Sequence, residues 1–270
     1  LIALKTGEVD FIYDVPAIAK ADISSNAKLA LITTPTIRIA YMVMNTGAKP
    51  FDSVLLRQAM NYAIDKGKAI TFATEGMGTV ADGIFSKDIF GYSEVKGYDY
   101  DPQKAKDLIA TAGYAKGLTV TLKTLAGPLS KVAQSVQEDL AKVGVTANID
   151  MGERNAYFGS LAKGNYEIGA ISVSCGNDAD YYNVILKTGS QGNFSHYSNP
   201  KVDGLFDNGR LATEKTQRLE IYKQLAQTIS DEAVIVPLYY LTNLSAAKAD
   251  LKVGYIDPIM LLSVNEMGWK

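Results

Sequence analysis

The sequence is poor in the side chains that most metal sites, disulfides and nucleophilic enzymes require. Its 270 residues include one cysteine, Cys175, and one histidine, His196. A single cysteine cannot form an internal disulfide or a thiolate cluster, and a single histidine excludes sites that need two imidazoles. The 27 basic residues nearly balance the 29 acidic residues. Net charge therefore gives no reason to expect binding to nucleic acid or to an anionic membrane.

A long hydrophobic run and a leader pattern are also missing. The longest uncharged run, residues 233–247, contains Pro237 and is shorter than the roughly 20 apolar residues of a membrane-spanning helix. The chain begins at Leu1 with a helical pattern and no charged, apolar and cleavage segments in succession. We therefore expect the sequence to be an excerpt of a longer chain.

Short motifs typical of enzymes and nucleotide-binding proteins do not occur. There is no Gly-x-Ser-x-Gly, no Gly-Lys-Ser/Thr and no correctly spaced glycine fingerprint. Cys175 follows an apolar strand, where pockets often open in α/β sheets, so an enzyme with this thiol as nucleophile and His196 as base is one alternative. A small buried thiol is the more common role of a lone cysteine. Sequence chemistry alone indicates a binding or scaffold module.

Strand and helix patterns alternate along the chain, which predicts the α/β class. Residues 118–124, 128–143 and 145–151 predict a strand, a helix and a strand, joined as a right-handed βαβ unit with parallel strands. Another strand is expected at Ile168–Ser174. Pro35 separates two apolar runs and predicts two short strands there. Further helices are expected to begin near residues 51, 102, 200 and 214.

The helix pattern from Phe51 predicts two faces. Its buried stripe includes Leu55, Ala59 and Ala63, and Gly67 divides the pattern into a helix pair. The opposite, polar face is formed by Arg57, Gln58, Asn61 and Asp65. Asp101–Pro102 and Asn199–Pro200 are typical helix starts.

Five segments in order resemble the peptide/nickel/opine class, family 5, of extracytoplasmic solute-binding proteins of ABC importers. The strings span nearly the whole chain: ALKTGEVDF, YMVMNTGAKPFDSVLLRQAMNYAIDK, YDYDPQKAKDLIATAGY, NFSHYSNPKVDGLF and DEAVIVPLYYL. One such string would be weak evidence, whereas five in the family's order and spacing are specific. These motifs identify a scaffold and need not touch a ligand.

The resemblance implies a periplasmic-binding-protein-like fold of type II with large lobes. Residues 50–236 would form one complete lobe, inserted into another lobe to which residues 1–49 and 237–270 contribute. The crossings at 45–49 and 236–240 would form a hinge. Such a protein is expected to act without a cofactor, as a monomer, at the periplasmic or outer face of the membrane. A secretion or lipoprotein signal would lie outside this excerpt.

The resemblance also implies a place for the ligand. Peptide binders of this class carry a Trp-x-x-Asp pattern after the strand that corresponds to Ile168–Ser174, and its carboxylate pairs with the peptide's ammonium group. Here the corresponding residues are Cys175, Gly176, Asn177 and Asp178. Main-chain partners for the peptide are expected near residues 172–177. Tyr181 and Tyr182 are expected to line the pocket.

The same comparison bears on the alternatives. Nickel binders of the class have a histidine where this chain has Gln191, so no metal ligand is expected, and His196 would serve only after a shift of register. We favour a short peptide over a nickel chelate, with an opine-like or other small amphoteric solute as a further alternative. A structural or sensor module that has lost its solute is another. Permease subunits at the membrane would be the protein partners, and nucleic acid is not expected to be one.

Overall fold

A computed structural model describes residues 1–270. Its helices are α1 (Ile2–Thr6), α2 (Lys20–Ser24), α3 (Val54–Ala63), α4 (Lys66–Thr74), α5 (Pro102–Ile109), α6 (Pro128–Lys142), α7 (Arg154–Ala162), α8 (Asn183–Leu186), α9 (Pro200–Leu211) and α10 (Lys215–Asp231). Its strands are β1 (Phe11–Ile12), β2 (Leu29–Met44), β3 (Gly78–Val80), β4 (Leu118–Thr124), β5 (Val145–Met151), β6 (Ile168–Val173), β7 (Ile235–Lys248), β8 (Leu251–Lys252) and β9 (Gly268–Trp269). None of the helices combines the length and the apolar character needed to cross a membrane.

One mixed sheet organises the chain. Its strands lie in the order β1-β7-β2-β6-β4-β5, and β3 pairs with β7 as well. The pairs β4–β5 and β4–β6 are parallel, whereas β2 is antiparallel to both β6 and β7. The predicted βαβ unit is confirmed, because α6 connects the parallel strands β4 and β5. The α/β class is confirmed with it.

Pro35 does not separate two strands, so that prediction was wrong. β2 runs without interruption from Leu29 to Met44 and pairs with β7 along most of its length. The pairing shifts between Pro35–Thr242 and Ile39–Tyr240, so that residues 36–38 face Leu241 alone. This arrangement is a β-bulge, which accommodates the proline within a long strand.

The long strands extend across the predicted lobe boundaries. The first half of β2 pairs with the C-terminal half of β7, and residues 39–44 pair with β6. Residues 39–44 therefore share a sheet with strands of the 50–236 segment. The division into 1–49, 50–236 and 237–270 stays a prediction.

The prediction for α3 was correct for Ala59 and Ala63, which are buried, but wrong about Leu55 and about the polar face. Leu55 is exposed, and Leu56 is buried in its place. Arg57 is 4 % exposed, and its guanidinium donates hydrogen bonds to the carbonyls of Phe51, Asp52 and Glu232. Asn61 is also buried and donates to the carbonyl of Ile235. These polar groups were expected at the surface, but they satisfy backbone carbonyls inside the protein.

The ends of three helices show why the chain folds locally as it does. The helix pair divides at residues 64–65 rather than at Gly67, because Asp65 is the N-cap of α4 and accepts from the Lys68 amide. Asp101 and Asn199 cap α5 and α9 in the same way, as predicted, each followed by proline.

Apolar side chains fill both faces of the sheet. Along β2, Ile39, Tyr41 and Val43 enter one cluster of 28 buried residues. The alternate residues Ala40, Met42 and Met44 enter a second cluster of the same size. This alternation follows from the two-residue repeat of a strand that is covered on both sides. The sheet is thereby covered on both faces and supports the segments at its ends.

Candidate functional site

The segment after β6 carries most of the predicted site residues and is bound on one side by the segment around Phe90. The Phe90 amide donates to the Asn177 carbonyl at 2.9 Å, and the Ala179 amide donates to the Phe90 carbonyl at 2.9 Å. A short 3-10 helix, Ala179–Tyr182, follows. Cys175, Gly176, Asn177 and Asp178 therefore lie in a defined loop at the carboxyl end of β6.

Asp178 forms a two-point ion pair with Arg218 of α10. The Arg218 Nη1–Asp178 Oδ2 distance is 2.8 Å, and Nη2–Oδ1 is 2.9 Å. Asp178 Oδ1 also accepts from the Asp180 amide and caps the 3-10 helix. The guanidinium of Arg218 lies 4.8 Å from the centre of the Phe90 ring, a cation–π contact. Both carboxylate oxygens are thus engaged within the chain, and the role of Asp178 as an amine anchor stays a prediction.

Cys175 and Gly176 are packed rather than open to solvent. Burial raises the pKa of the Cys175 thiol to about 12. That environment does not favour the thiolate a nucleophile needs, and no hydrogen bond joins Cys175 to His196. Gly176 has φ 135°, and a Cβ added there would lie 2.4 Å from the ring of Tyr181. Tyr181 covers this glycine while about half of its own side chain remains exposed.

Tyr182 lies in the core, which corrects its prediction as a pocket wall. Its side chain is fully buried, and its ring packs edge-on against Phe85 with 5.0 Å between centroids. Its hydroxyl has no hydrogen-bond partner. The neighbouring Tyr181 is the exposed member of the pair because the 3-10 helix turns successive side chains in different directions.

Gln191 and His196 lie together in a different groove. They line an open depression of about 510 Å³ with residues 188–190 and 197–198. His196 Nε2 is 2.8 Å from the Leu161 carbonyl. The structure does not place these two residues in one pocket with Cys175 or Asp178. No three His, Cys, Asp or Glu side chains come together in a way that would hold a metal ion.

A cleft of about 440 Å³ opens at the end of β6, directly before the 175–178 loop. Its walls come from residues 13–14, 36, 38, 172–174, 241–243 and 258–260. These segments belong to all three predicted parts of the chain. Its volume lies in the range of small-molecule sites, and its lining is mixed polar and apolar. The sequence indicated residues 172–174, whereas the other walls are brought there by the sheet.

The long mixed sheet, its covering helices and a cleft between its crossing segments define a protein of the periplasmic-binding type. Residues 1–195 match the sequence pattern of the family "Bacterial extracellular solute-binding proteins, family 5 Middle". The chain belongs to this family. The glutathione-binding protein GsiB of Pectobacterium atrosepticum is 34 % identical over 97 % of this chain and 54 % of its own length. Heme-binding protein A of Haemophilus influenzae is 29 % identical over 94 % of this chain and 48 % of its own.

The solved structures show the same architecture. The ABC transporter substrate binding protein CtaP of Listeria monocytogenes superposes with a TM-score of 0.93 at 25 % identity. The match covers 99 % of this chain and 57 % of that protein. The present chain therefore spans about half the length of the relatives it matches. The family resemblance seen in the sequence is confirmed.

Proposed function

We propose that this chain forms part of the solute-binding component of an ABC importer, and that it binds a short peptide in the cleft at the end of β6. The observation that carries the proposal is the position of residues 172–174. They line the cleft and lead directly into the 175–178 loop, where the resemblance puts peptide contacts. Permease subunits at the membrane would receive the solute outside the cytoplasm.

The backbone of β6 offers groups that an extended peptide could use. β4 pairs with β6 only at Ile168 and Gly169, whereas β6 continues to Val173. Beyond Gly169, the edge of β6 toward β4 is therefore without a strand partner. Main-chain pairing along such an edge is a common mode of peptide recognition. This supports main-chain contacts at residues 172 and 173, the first positions of the 172–177 stretch.

The named ligands of the relatives differ, and peptide is the choice that the loop chemistry favours. Glutathione, in the name of one relative, is itself a short peptide, whereas heme is not. Asp178 retains the acidic position of the family pattern, and a peptide ammonium would have to share this carboxylate with Arg218. The nickel-chelate alternative stays a prediction from the sequence.

Calorimetry on the full-length protein tests the proposal. Wild-type protein titrated with dipeptides and tripeptides is expected to bind at least one of them. Asp178→Ala is expected to weaken binding, since truncating one partner of a buried charge pair costs about 2–5 kcal/mol. Arg218→Gln breaks the same ion pair but leaves the Asp178 carboxylate in place. It therefore separates the effect of losing the ion pair from the effect of losing the proposed anchor. The control is Asp207→Ala, which removes an exposed carboxylate paired with Lys187.

Two outcomes would count against the proposal in different ways. Unchanged affinity in Asp178→Ala, with binding intact in the control, would remove Asp178 from the site and leave the peptide function standing. Failure of every peptide to bind the folded wild-type protein would overturn the peptide function itself. Unfolding curves of each variant show whether a lost signal reflects lost structure.

A further inference from the structure

Arg38 lies in the β-bulge of β2 and extends into the cleft. Residues 36–38 face Leu241 alone, so the strand carries extra residues at this point. The Thr36 hydroxyl donates to the Leu241 carbonyl at 2.8 Å and accepts from the Arg38 amide at 3.2 Å. The Ile37 amide donates to the Pro258 carbonyl at 3.0 Å. The bulge is therefore fixed by hydrogen bonds, and bulges commonly redirect a side chain.

The guanidinium of Arg38 is oriented at one nitrogen and unpaired at the others. Its Nε donates to the Ser172 hydroxyl at 3.0 Å. Neither Nη atom has a hydrogen-bond partner in the chain, and no carboxylate forms an ion pair with Arg38. Of the five N–H donors of an arginine, four remain free for a ligand. The side chain is exposed toward the space that the cleft encloses.

The acid in the same cleft does not neutralise this charge. Asp14 also lines the cleft, but its Oδ1 accepts from Asn243 Nδ2 at 3.0 Å and it forms no ion pair with Arg38. Asp178, the acid of the neighbouring loop, is engaged by Arg218. Arg38 is therefore the one cation in the lining of the cleft, and no carboxylate forms an ion pair with it.

We propose that Arg38 binds a carboxylate of the solute through its two Nη groups. The inference rests on the proposed solute-binding function and adds the class of ligand, a solute that carries a free carboxylate. A guanidinium fork matches the two oxygens of a carboxylate, which a lysine ammonium does not. The hydrogen bond from Nε to Ser172 leaves the two Nη groups facing the cleft. The guanidinium is thereby partly ordered before the solute binds, which lowers the entropy cost of binding.

The test compares acids with their amides on the full-length protein. The probes are trialanine and glutathione, trialanine amide, other small carboxylic acids and uncharged sugars, measured by calorimetry. Wild-type protein is expected to bind a free acid about 10- to 100-fold more tightly than its amide. This is the size of effect expected when a hydrogen bond to a charged group is lost. Arg38→Gln is expected to lose this preference, and Arg38→Lys to keep part of it. Lys116→Gln, which removes an exposed cation from the turn before β4, is the matched control.

Each outcome decides a separate claim. Binding of a peptide acid with loss of the acid preference in Arg38→Gln supports both the inference and the peptide function. Arg38-dependent binding of a carboxylic acid that is not a peptide supports the inference and overturns the peptide function. Equal affinity for acid and amide, or an Arg38→Gln variant that binds like wild type, overturns the inference alone. A folded wild-type protein that binds none of these probes overturns both.

Discussion

The ion pair between Asp178 and Arg218 allows a test of the loop's stability without any ligand. The perturbation is a double-mutant cycle of Asp178→Asn and Arg218→Met. Asparagine keeps an oxygen that can accept from the Asp180 amide, so the helix cap is retained while the charge is removed. Methionine keeps much of the length and the apolar stem of Arg218 but removes the guanidinium, and the loss of its contact with Phe90 cancels in the cycle. The cycle therefore isolates the charged contact.

The geometry sets the expected size of the effect. Two charged hydrogen bonds of 2.8 and 2.9 Å join the groups. Their side chains are 22 % and 25 % exposed, so solvent screens the pair only in part. Charged hydrogen bonds contribute about 1.5–3 kcal/mol, and exposed ion pairs below about 1 kcal/mol. We expect a coupling of about 1–2 kcal/mol in the free energy of unfolding.

Urea denaturation of the full-length protein without ligand measures this coupling. Each single variant is expected to lower the free energy of unfolding, and the double variant to lower it by less than the sum. High salt is expected to reduce the coupling only slightly, because the pair is partly buried. Effects of the two substitutions that add within about 0.5 kcal/mol would refute the reasoning, because independent sites behave in that way.

Two further predictions concern packed positions. Gly209→Ala is expected to destabilise the protein, because the added Cβ would lie 2.7 Å from the ring of Tyr222; thermal unfolding checks this, and an unchanged midpoint would contradict it. Cys175 is expected to react slowly with iodoacetamide at neutral pH, with a rate that still rises between about pH 8 and pH 9.5 because burial raises the pKa of its thiol to about 12. Intact-mass measurement follows the alkylation, and a fast reaction that levels off near pH 8 would show a thiolate at Cys175 that burial should prevent.

Local sequence patterns predicted most helices and strands correctly. The predictions that failed concern residues whose structure depends on partners far away in the sequence. The caps at Asp101 and Asn199 and the βαβ unit depend on neighbouring residues, so the sequence contains the needed information. The continuous β2 does not, because β7, about 200 residues away, supplies the partner that carries the strand past Pro35. Arg57 likewise looked like a surface residue, because one of its acceptor carbonyls, that of Glu232, belongs to a distant segment that helps to bury it.

The candidate site was likewise predicted where it depends on neighbouring residues and missed where it depends on distant ones. The loop at 175–178 and the contribution of residues 172–174 were predicted from the order of motifs along the chain. Arg38 was not, since its position depends on a bulge that exists only when β2 meets β7. The partner of Asp178 was not predicted either, because Arg218 is 40 positions further along the chain. A sequence without aligned relatives carries no signal for such pairs.

The bulge in β2 also has a mechanical consequence. The ladder between β2 and β7 is shifted twice, first at residues 36–38 and again between Ala40 and Tyr41, where Leu238 of β7 falls outside the register. Both shifts disrupt the ladder hydrogen bonds and bend the strand, so residues 36–41 form the least regular stretch of the pair. The cleft walls at 172–174 and 258–260 attach to β2 beside this point, through Ser172 and Pro258. A change in the bend of this short stretch of backbone would therefore move both walls and change the width of the cleft.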